Sequence, residues 1–522
     1  IVVDDCPSSD AGVAAADLKT VRQVLDAGAF IPRDVVELAK WTAEYYAAGP
    51  GETILAVLPP KTRGGRADAH KTVRMAAITA AGMEALGAAA GPLTDKQRAA
   101  LELLAGTPTG LATPLLAERG VAADVVARLR RHGFISVRQD RIDRDPFRAD
   151  LAPVPAGPDR PLTLEQTSAL ERLRRMSDAR AFQVALLHGV TGSGKTEVYL
   201  RLAAQVRSSG RRVLLLVPEI ALTPAVSSIF RRTFGERVAI QHSGLSDGER
   251  HDQWQRIRRG EIDVVVGTRS AVFAPIEELG LIVVDEEHDG SYKQDESPRY
   301  NGRDVAIVRG QRAGALVLLG SATPSMESYH HAVTGKYERV VLERRVLDRP
   351  LAAVSVVDMR EEYAAQGPDA VLSRALKAAI DLRLERGEQA LVLLNRRGFA
   401  TAVFCRQCAG TLDCPNCSVS LVVHGEGTAR RARCHYCNYS IPVPPQCPAC
   451  AAPYMEQAGF GTERVEEEVK ALYPQARVAR IDRDTIRKRG ALTSLLPRFA
   501  SGGIDVLVGT QMIAKGHDFR RI

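Results

Sequence analysis

The chain has 522 residues, which is enough for three or more domains, and no run of apolar residues approaches the roughly eighteen that a membrane-spanning helix needs. Residues 1–5 lack the charged and apolar regions of a signal peptide. The first residue is not methionine, and we expect the N-terminal end to have been removed. The net charge of +8 suits a polyanionic partner, but it suits a mildly basic enzyme equally well.

The first 160 residues predict two small units. Residues 1–65 predict the C-terminal part of a small N-terminal domain, with a helix whose apolar residues recur at helical spacing between Val35 and Tyr45. Residues 90–145 predict helices followed by a short strand, which is typical of a winged-helix domain. A plain helical spacer fits this pattern equally well. A linker rich in proline and aspartate follows at residues 145–160.

The pattern changes after residue 160, where short apolar strands alternate with amphipathic helices. This alternation is the signature of a parallel sheet with crossover helices. A first set fills residues 160–345. A second set begins in residues 346–404, is interrupted by a cysteine-rich region at 405–452, and continues through 453–522. The predicted fold class is therefore α/β, with two lobes built on parallel sheets and an insertion in the second.

The first set contains a glycine-rich sequence between a predicted buried strand and a predicted helix. Backbone N–H groups of such a loop surround a phosphate chain, and the helix N-terminus adds positive potential. Lys195 is expected to reach the β and γ phosphates of ATP, and the Thr196 hydroxyl to bind Mg²⁺. The predicted ATP-binding residues are Gly189, Val190, Thr191, Gly192, Ser193, Gly194, Lys195 and Thr196.

An acidic sequence follows the predicted strand at residues 281–284. Acidic residues at the carboxyl end of a parallel strand lie at the ligand-binding edge of the sheet. We therefore expect Asp285 to hold Mg²⁺ through water and Glu286 to orient the attacking water. Lys195, Asp285 and Glu286 are the predicted catalytic residues. The alternative is a solvated acidic turn. The phosphate-binding loop disfavours this alternative, because such a loop needs an acidic partner.

The cysteines form a second motif, since eight of the nine fall in one short region as four C-x-x-C pairs. Two such pairs complete a tetrahedral four-thiolate site that favours Zn²⁺, so eight thiolates predict two zinc ions. A redox role is disfavoured, because four copies stand together without a thioredoxin-like βαβ context. The spacing leaves nested and sequential pairing open.

Together these motifs resemble superfamily-two helicases, and most specifically the PriA family of bacterial replication-restart DNA helicases. The cysteine-rich region is the most specific feature. The matching strings are residues 189–199 (GVTGSGKTEVY), 217–224 (VPEIALTP), 242–246 (HSGLS), 267–270 (GTRS) and 394–399 (LNRRGF).

The resemblance implies an ATP-dependent 3′-to-5′ DNA helicase that recognises stalled forks, D-loops and single-stranded DNA and initiates primosome assembly for replication restart. It implies single-strand-binding protein and other primosome proteins as partners, in the bacterial cytoplasm and associated with the nucleoid during replication. It also implies nested zinc sites. Zinc 1 takes Cys405, Cys408, Cys447 and Cys450, and zinc 2 takes Cys414, Cys417, Cys434 and Cys437.

The resemblance also implies DNA contacts. Residues 1–65 correspond to part of a domain that grips a DNA 3′ end, in which Lys19 matches a pocket position. The loop after the acidic motif is expected to sense single-stranded DNA, with Tyr292 and Tyr300 stacking on bases. Lys293 and Arg299 are expected to lie on phosphates. The alternative is that the two tyrosines pack beneath the loop.

Family members continue beyond the last residue of this chain to an arginine-bearing motif and a C-terminal domain, so the chain is interpreted as a fragment. Two other functions remain: a translocase that remodels forks without separating strands, and a DNA-binding scaffold for primosome assembly. The intact Lys195, Thr196, Asp285 and Glu286 disfavour the scaffold, which has no physical need for them.

Overall fold

A computed structural model of the chain describes nine stretches and a few isolated residues. The stretches are residues 29–59, 71–88, 93–144, 161–218, 224–346, 352–394, 403–424, 431–482 and 491–510, without 108, 368, 369, 406, 409, 454 and 458–461; the isolated residues are 62, 146, 485 and 522. The chain forms two compact units, Ile1–Asp348 and Arg349–Ile522. Among the described residues, no helix combines the length and the apolar character needed to cross a membrane.

The first unit contains helices and strands in the following order. They are α1 (Arg33–Tyr45), α2 (Pro50–Val57), β1 (Lys71–Ile78), α3 (Ala80–Gly87), α4 (Asp95–Ala105), β2 (Leu111–Ala112), α5 (Thr113–Glu118), α6 (Ala123–Arg131), β3 (Ile135–Ile142), α7 (Leu164–Asp178), β4 (Gln183–Gly189), α8 (Lys195–Ser208), β5 (Arg212–Leu216), α9 (Pro224–Phe234), β6 (Val238–Gln241), α10 (Asp247–Arg258), β7 (Val264–Gly267), β8 (Leu279–Asp285), α11 (Gly302–Ala313), β9 (Leu316–Ser321), α12 (Met326–Val333) and β10 (Glu338–Leu342).

The second unit contains a shorter series. It comprises α13 (Met359–Gln366), α14 (Arg374–Glu385), β11 (Ala390–Leu393), β12 (Val403–Cys405), β13 (Val422–His424), β14 (Arg431–Arg433), β15 (Ser440–Pro442), β16 (Met455–Gln457), α15 (Thr462–Leu472), β17 (Val478–Ile481), α16 (Ala491–Ala500) and β18 (Val506–Gly509).

A seven-stranded parallel sheet dominates the first unit, with the order β10-β4-β9-β8-β5-β7-β6. Helices cover both faces, so its strands are apolar on both sides. Successive side chains of β5 alternate between two cores: Leu214 and Leu216 join one, and Val213 and Leu215 join the other. Because neighbouring parallel strands end at one edge, the residues that follow β4, β9 and β8 are brought together there.

Helices α1 and α2 pack into one of these two cores. Val35 and Leu38 of α1 and Ile54 of α2 are buried in the same cluster as Phe273 and Tyr300. The helix predicted between Val35 and Tyr45 is therefore present, and it shares its core with the seven-stranded sheet. The apolar spacing of α1 fixes which face is buried but not what covers it.

A separate small core joins α4, α5 and α6 to an antiparallel sheet of order β2-β1-β3. Strand β1 pairs with β3 over eight positions, from Lys71↔Ile142 to Ile78↔Ile135. These helices and strands are compatible with the winged-helix domain expected from the sequence, which remains a prediction. The predicted domain at residues 90–145 does not include β1, whose pairing with β3 is not visible in the sequence, because the two strands lie far apart along the chain and β1 alone has no clear alternation.

The second unit has a parallel sheet of order β11-β18-β17, with apolar clusters on its two faces. Two small antiparallel sheets, β12-β16 and β13-β14-β15, form the cysteine-rich region between β11 and α15. The predicted fold class is confirmed: α/β, with parallel sheets in both units and a cysteine-rich insertion in the second.

Candidate ATP site and paired cysteine clusters

The glycine-rich loop connects β4 to α8 at the carboxyl edge of the seven-stranded sheet. Gly192 and Gly194 have φ values of +82° and +79°. Glycine adopts this left-handed backbone conformation without steric strain, whereas a residue with a Cβ adopts it only at a higher energy. Lys195 is 9% exposed, and its Nζ donates to the Gly189 carbonyl oxygen at 2.9 Å. The ammonium group is thus held within the turn whose N–H groups and helix terminus favour an anion.

Gln166 of α7 supports this loop from a neighbouring helix, a role that the sequence analysis missed. Its Nε2 donates to the Ser193 carbonyl oxygen at 2.8 Å, and its Oε1 accepts from the Thr163 N–H at 2.9 Å. A Cβ on Gly194 would lie 2.3 Å from Gln166 Nε2. Glycine is therefore also required at this position because any other side chain would clash with the Gln166 amide. The local sequence carries a helix-capping signal, but nothing in it shows that the capping glutamine also reaches the loop.

Asp285 ends β8 at the same sheet edge and accepts a hydrogen bond from the Tyr199 hydroxyl at 2.9 Å. Burial, with the adjacent Glu286 charge, raises the pKa of the Asp285 carboxyl to about 6, and the nearby Lys195 opposes this rise. Glu286 follows with φ +46°, a left-handed conformation that turns the chain sharply at the strand end. The structure therefore brings all three predicted catalytic residues to one edge.

Glu287 joins the acidic motif to the chain that follows β9. Glu287 is 2% exposed, and its carboxylate accepts from the Ser325 N–H at 2.6 Å, the Ser328 hydroxyl at 2.9 Å and the Arg303 guanidinium at 3.0 Å. Beside it, His288 Nδ1 lies 2.8 Å from the Ser321 Oγ. The role of Glu287 was not predicted, because a run of three acidic residues gives no sign of which one turns inward.

The structure contradicts the predicted stacking role of Tyr292 and Tyr300, which are 1% and 3% exposed. The Tyr292 hydroxyl donates to the carbonyl oxygens of Asp285 at 2.6 Å and Leu216 at 3.1 Å, and Tyr300 packs edge-on against Phe273. Neither ring has a face open to a base. The alternative, tyrosines packed beneath the loop, is correct, because both rings complete the core under the sheet edge.

The two basic residues of this loop, Lys293 and Arg299, are exposed. Lys293 Nζ lies 5.1 Å from the centre of the Tyr46 ring and donates to the Arg299 carbonyl oxygen. Their positions are compatible with phosphate contacts, which remain a prediction. Lys19 lies outside the described residues, as do most of the strings at residues 217–224 and 394–399.

Replacing Tyr292 tests its structural role. Tyr292→Phe keeps the ring but leaves two carbonyl groups without their donor, so we expect a loss of about 1–3 kcal/mol in the free energy of unfolding. Tyr292→Ala should lose about 3–5 kcal/mol through the cavity it creates. Denaturant unfolding measures both losses. Tyr45→Phe is the matched control, because Tyr45 is 66% exposed. A Tyr292→Phe protein as stable as the original would contradict this role.

The eight clustered cysteines form two groups of four, and within each group all sulfur atoms lie within 4.8 Å of one another. The first group is Cys405, Cys408, Cys447 and Cys450, and the second is Cys414, Cys417, Cys434 and Cys437. This arrangement is nested.

The sulfur atoms are spaced as a tetrahedral metal site requires. Cys405–Cys450 and Cys408–Cys447 are separated by 3.6 Å, and Cys414–Cys437 by 3.4 Å. Zinc–sulfur bonds of about 2.3 Å in a tetrahedron place sulfur atoms about 3.8 Å apart. The distances are far too long for disulfides. Four thiolates with this spacing fit Zn²⁺ and keep no position for water or substrate.

Comparison with known proteins decides the family. The replication restart protein PriA of Haemophilus influenzae is 37% identical over 529 residues, which cover 100% of this chain and 70% of that protein. The chain belongs to the PriA family. The family predicted from the motifs is therefore confirmed.

Other PriA relatives agree. The protein of Bacillus subtilis is 44% identical over 434 residues, covering 82% of this chain and 53% of its own length. That of Chlamydia muridarum is 38% identical over 501 residues, covering 94% of this chain and 65% of its own length. The chain thus spans 53% to 70% of the length of these three relatives.

Three family models match separate parts of the chain. The 3′ DNA-binding domain matches residues 2–59, the DEAD/DEAH box helicase matches residues 163–331, and the PriA DNA helicase Cys-rich region matches residues 414–442. The helicase match contains the glycine-rich loop and the acidic motif. The Cys-rich match contains the inner group of four cysteines and, with the sulfur geometry, supports zinc binding.

Proposed function

We propose that the protein to which this chain belongs is an ATP-dependent 3′-to-5′ DNA helicase that recognises stalled forks and D-loops and initiates primosome assembly for replication restart. One observation carries the proposal. The glycine-rich loop with Lys195, and the acidic pair Asp285 and Glu286, meet at one edge of a parallel sheet in a chain of the PriA family.

In this proposal each residue at the sheet edge has a separate role in ATP hydrolysis. The loop N–H groups and Lys195 bind the phosphates, while Thr196 and Asp285 would hold Mg²⁺, which supplies neutralising charge when bound. With a pKa of about 6, the Asp285 carboxyl is predominantly ionised at neutral pH, as a metal-binding oxygen requires. Glu286 orients the attacking water.

The Glu287 contacts provide a route from the ATP site to DNA. Glu287 immediately follows the catalytic pair and holds Ser325, so a shift of the acidic motif must move the segment after β9 or break buried hydrogen bonds. Breaking contacts to a buried carboxylate is costly. We propose that this connection transmits hydrolysis to the DNA-binding surface, with Lys293 and Arg299 touching phosphates.

The remaining assignments belong to the same proposal. Residues 1–65 with Lys19 contribute to a 3′-end pocket, residues 90–145 form the winged-helix domain, and the two cysteine groups hold two structural zinc ions. Single-strand-binding protein and other primosome proteins are the proposed partners. The proposed location is the bacterial cytoplasm, at the nucleoid during replication.

Strand-separation polarity tests the function. The whole protein should release the labelled strand of a duplex with a 3′ single-stranded tail when ATP and Mg²⁺ are present. A duplex with a 5′ tail and a reaction with a non-hydrolysable ATP analogue are the controls, and both should show little release. ATP-dependent movement without strand release would favour fork remodelling, and release without hydrolysis would refute the motor.

A further inference from the structure

The turn between Cys434 and Cys437 displays an aromatic side chain to solvent. Tyr436 is 81% exposed, more than any other tyrosine, phenylalanine or tryptophan among those that the structure describes. Of the four C-x-x-C turns, this one alone carries aromatic rings, His435 and Tyr436. The others carry Arg406 and Gln407, Pro415 and Asn416, and Pro448 and Ala449. Zinc binding needs only the cysteines, so it does not explain an exposed tyrosine here.

The backbone holds this turn in a fixed shape. The Tyr436 N–H donates to Cys434 Sγ at 3.4 Å, and the Asn438 N–H donates to the Cys434 carbonyl oxygen at 3.0 Å. The Cys434 N–H donates to the Tyr439 carbonyl oxygen at 2.7 Å. Asn438 has φ +63°, a conformation that asparagine tolerates well. The ring therefore stands on a preorganised tip, and binding there orders little else.

Two arginines of β14 lie beside this tip. Arg431 and Arg433 are exposed on one face of the strand, while Ala432 between them is buried. Arg433 Nη2 donates to Asn438 Oδ1 at 2.9 Å, which places its guanidinium against the turn that carries Tyr436. Within the described part of the chain, neither arginine forms an ion pair with a carboxylate. The positive charge of both guanidinium groups is therefore available to a ligand.

We propose that Tyr436, Arg433 and Arg431 form a binding site for single-stranded DNA. The Tyr436 ring stacks on one unpaired base, and the guanidinium groups contact the adjacent phosphates. An unpaired base is required, because a duplex does not offer its ring faces. Residues 405–452 contain four arginines and only two acidic residues, so the region attracts a polyanion. The choice of ligand rests on the proposed helicase function.

Base stacking is tested with Tyr436→Ala and Tyr436→Phe in the whole protein, without ATP, by fluorescence anisotropy of a labelled oligothymidine. Zinc content must match that of the unchanged protein. We expect Tyr436→Ala to raise Kd by about fivefold or more and Tyr436→Phe to leave it nearly unchanged. With an oligonucleotide of abasic sites, the difference between the two variants should vanish. Equal Kd values for all three proteins on oligothymidine would overturn the proposal.

Phosphate contact is tested separately with Arg433→Gln. The slope of log K against log salt for oligothymidine should become shallower by about 0.7. Arg383→Gln is the matched control, because Arg383 is an exposed arginine of α14 that is paired with Glu388. An unchanged slope for Arg433→Gln would overturn the phosphate contact. If Tyr436→Ala weakened binding of a polyglutamate peptide but not of oligothymidine, the site would be one for acidic protein.

These outcomes are distinct from failure of the helicase function. Tyr436 lies in the cysteine-rich region, whereas Lys195 and Asp285 belong to the other unit of the chain. The Tyr436 variants should therefore keep the basal ATPase rate. Loss of strand separation with intact oligothymidine binding would count against the proposed motor and leave the Tyr436 site in place.

Discussion

Replacing Lys195 by alanine is expected to reduce ATP hydrolysis by at least about a hundredfold while DNA binding remains. The lysine is the only cation that the glycine-rich sequence places in the loop, and removing one charge-stabilising donor typically costs two to three orders of magnitude in rate. The measurement is DNA-stimulated phosphate release by the whole protein, together with anisotropy of a labelled fork.

The control for this variant separates catalysis from folding. Lys195 also donates to the Gly189 carbonyl oxygen, so the variant should lose a little stability, about 1–2 kcal/mol. Lys96→Ala removes the same charge from an exposed position on α4 and should leave ATPase unchanged. An ATPase rate of Lys195→Ala near that of the original protein would refute the assignment of the ATP site.

Replacing Cys417 by serine is expected to unfold the cysteine-rich region and lower the zinc content from two ions per chain to one or fewer. The region has a very small core, in which the cysteines are themselves major members. Metal binding therefore supplies most of its folding free energy. Cys405, Cys414, Cys434 and Cys447 are buried in one shared cluster, so loss of the inner site should weaken the outer site as well.

Metal analysis and activity assays together check this prediction. DNA-stimulated ATPase should persist, because Lys195 and Asp285 belong to the other compact unit, while strand separation or primosome assembly should fail. Cys6→Ser is the control, since Cys6 belongs to none of the four C-x-x-C pairs. Two zinc ions retained in Cys417→Ser would refute the structural role of the metal. Loss of ATPase would refute the independence of the two units.

The sequence by itself determined the features whose chemistry is local. A phosphate-binding turn needs glycines and a lysine at fixed spacing before a helix, and a zinc-binding turn needs C-x-x-C. Both motifs can therefore be recognised from a few consecutive residues. The alternation of apolar strands and helices likewise determined the fold class, because burial on both faces of a parallel sheet leaves continuous apolar runs.

Only the tertiary structure decided which residues meet across long separations. Tyr292 and Tyr300 were predicted from the sequence to contact DNA, but both are buried. The sequence could not show this, because the exposure of a ring depends on what packs over it. The tertiary structure also revealed the supporting contacts of Gln166 and Glu287, whose partners lie on other elements. It grouped the cysteines in nested fashion, since local spacing sets each pair but the strand pairing of the region sets which pairs face each other.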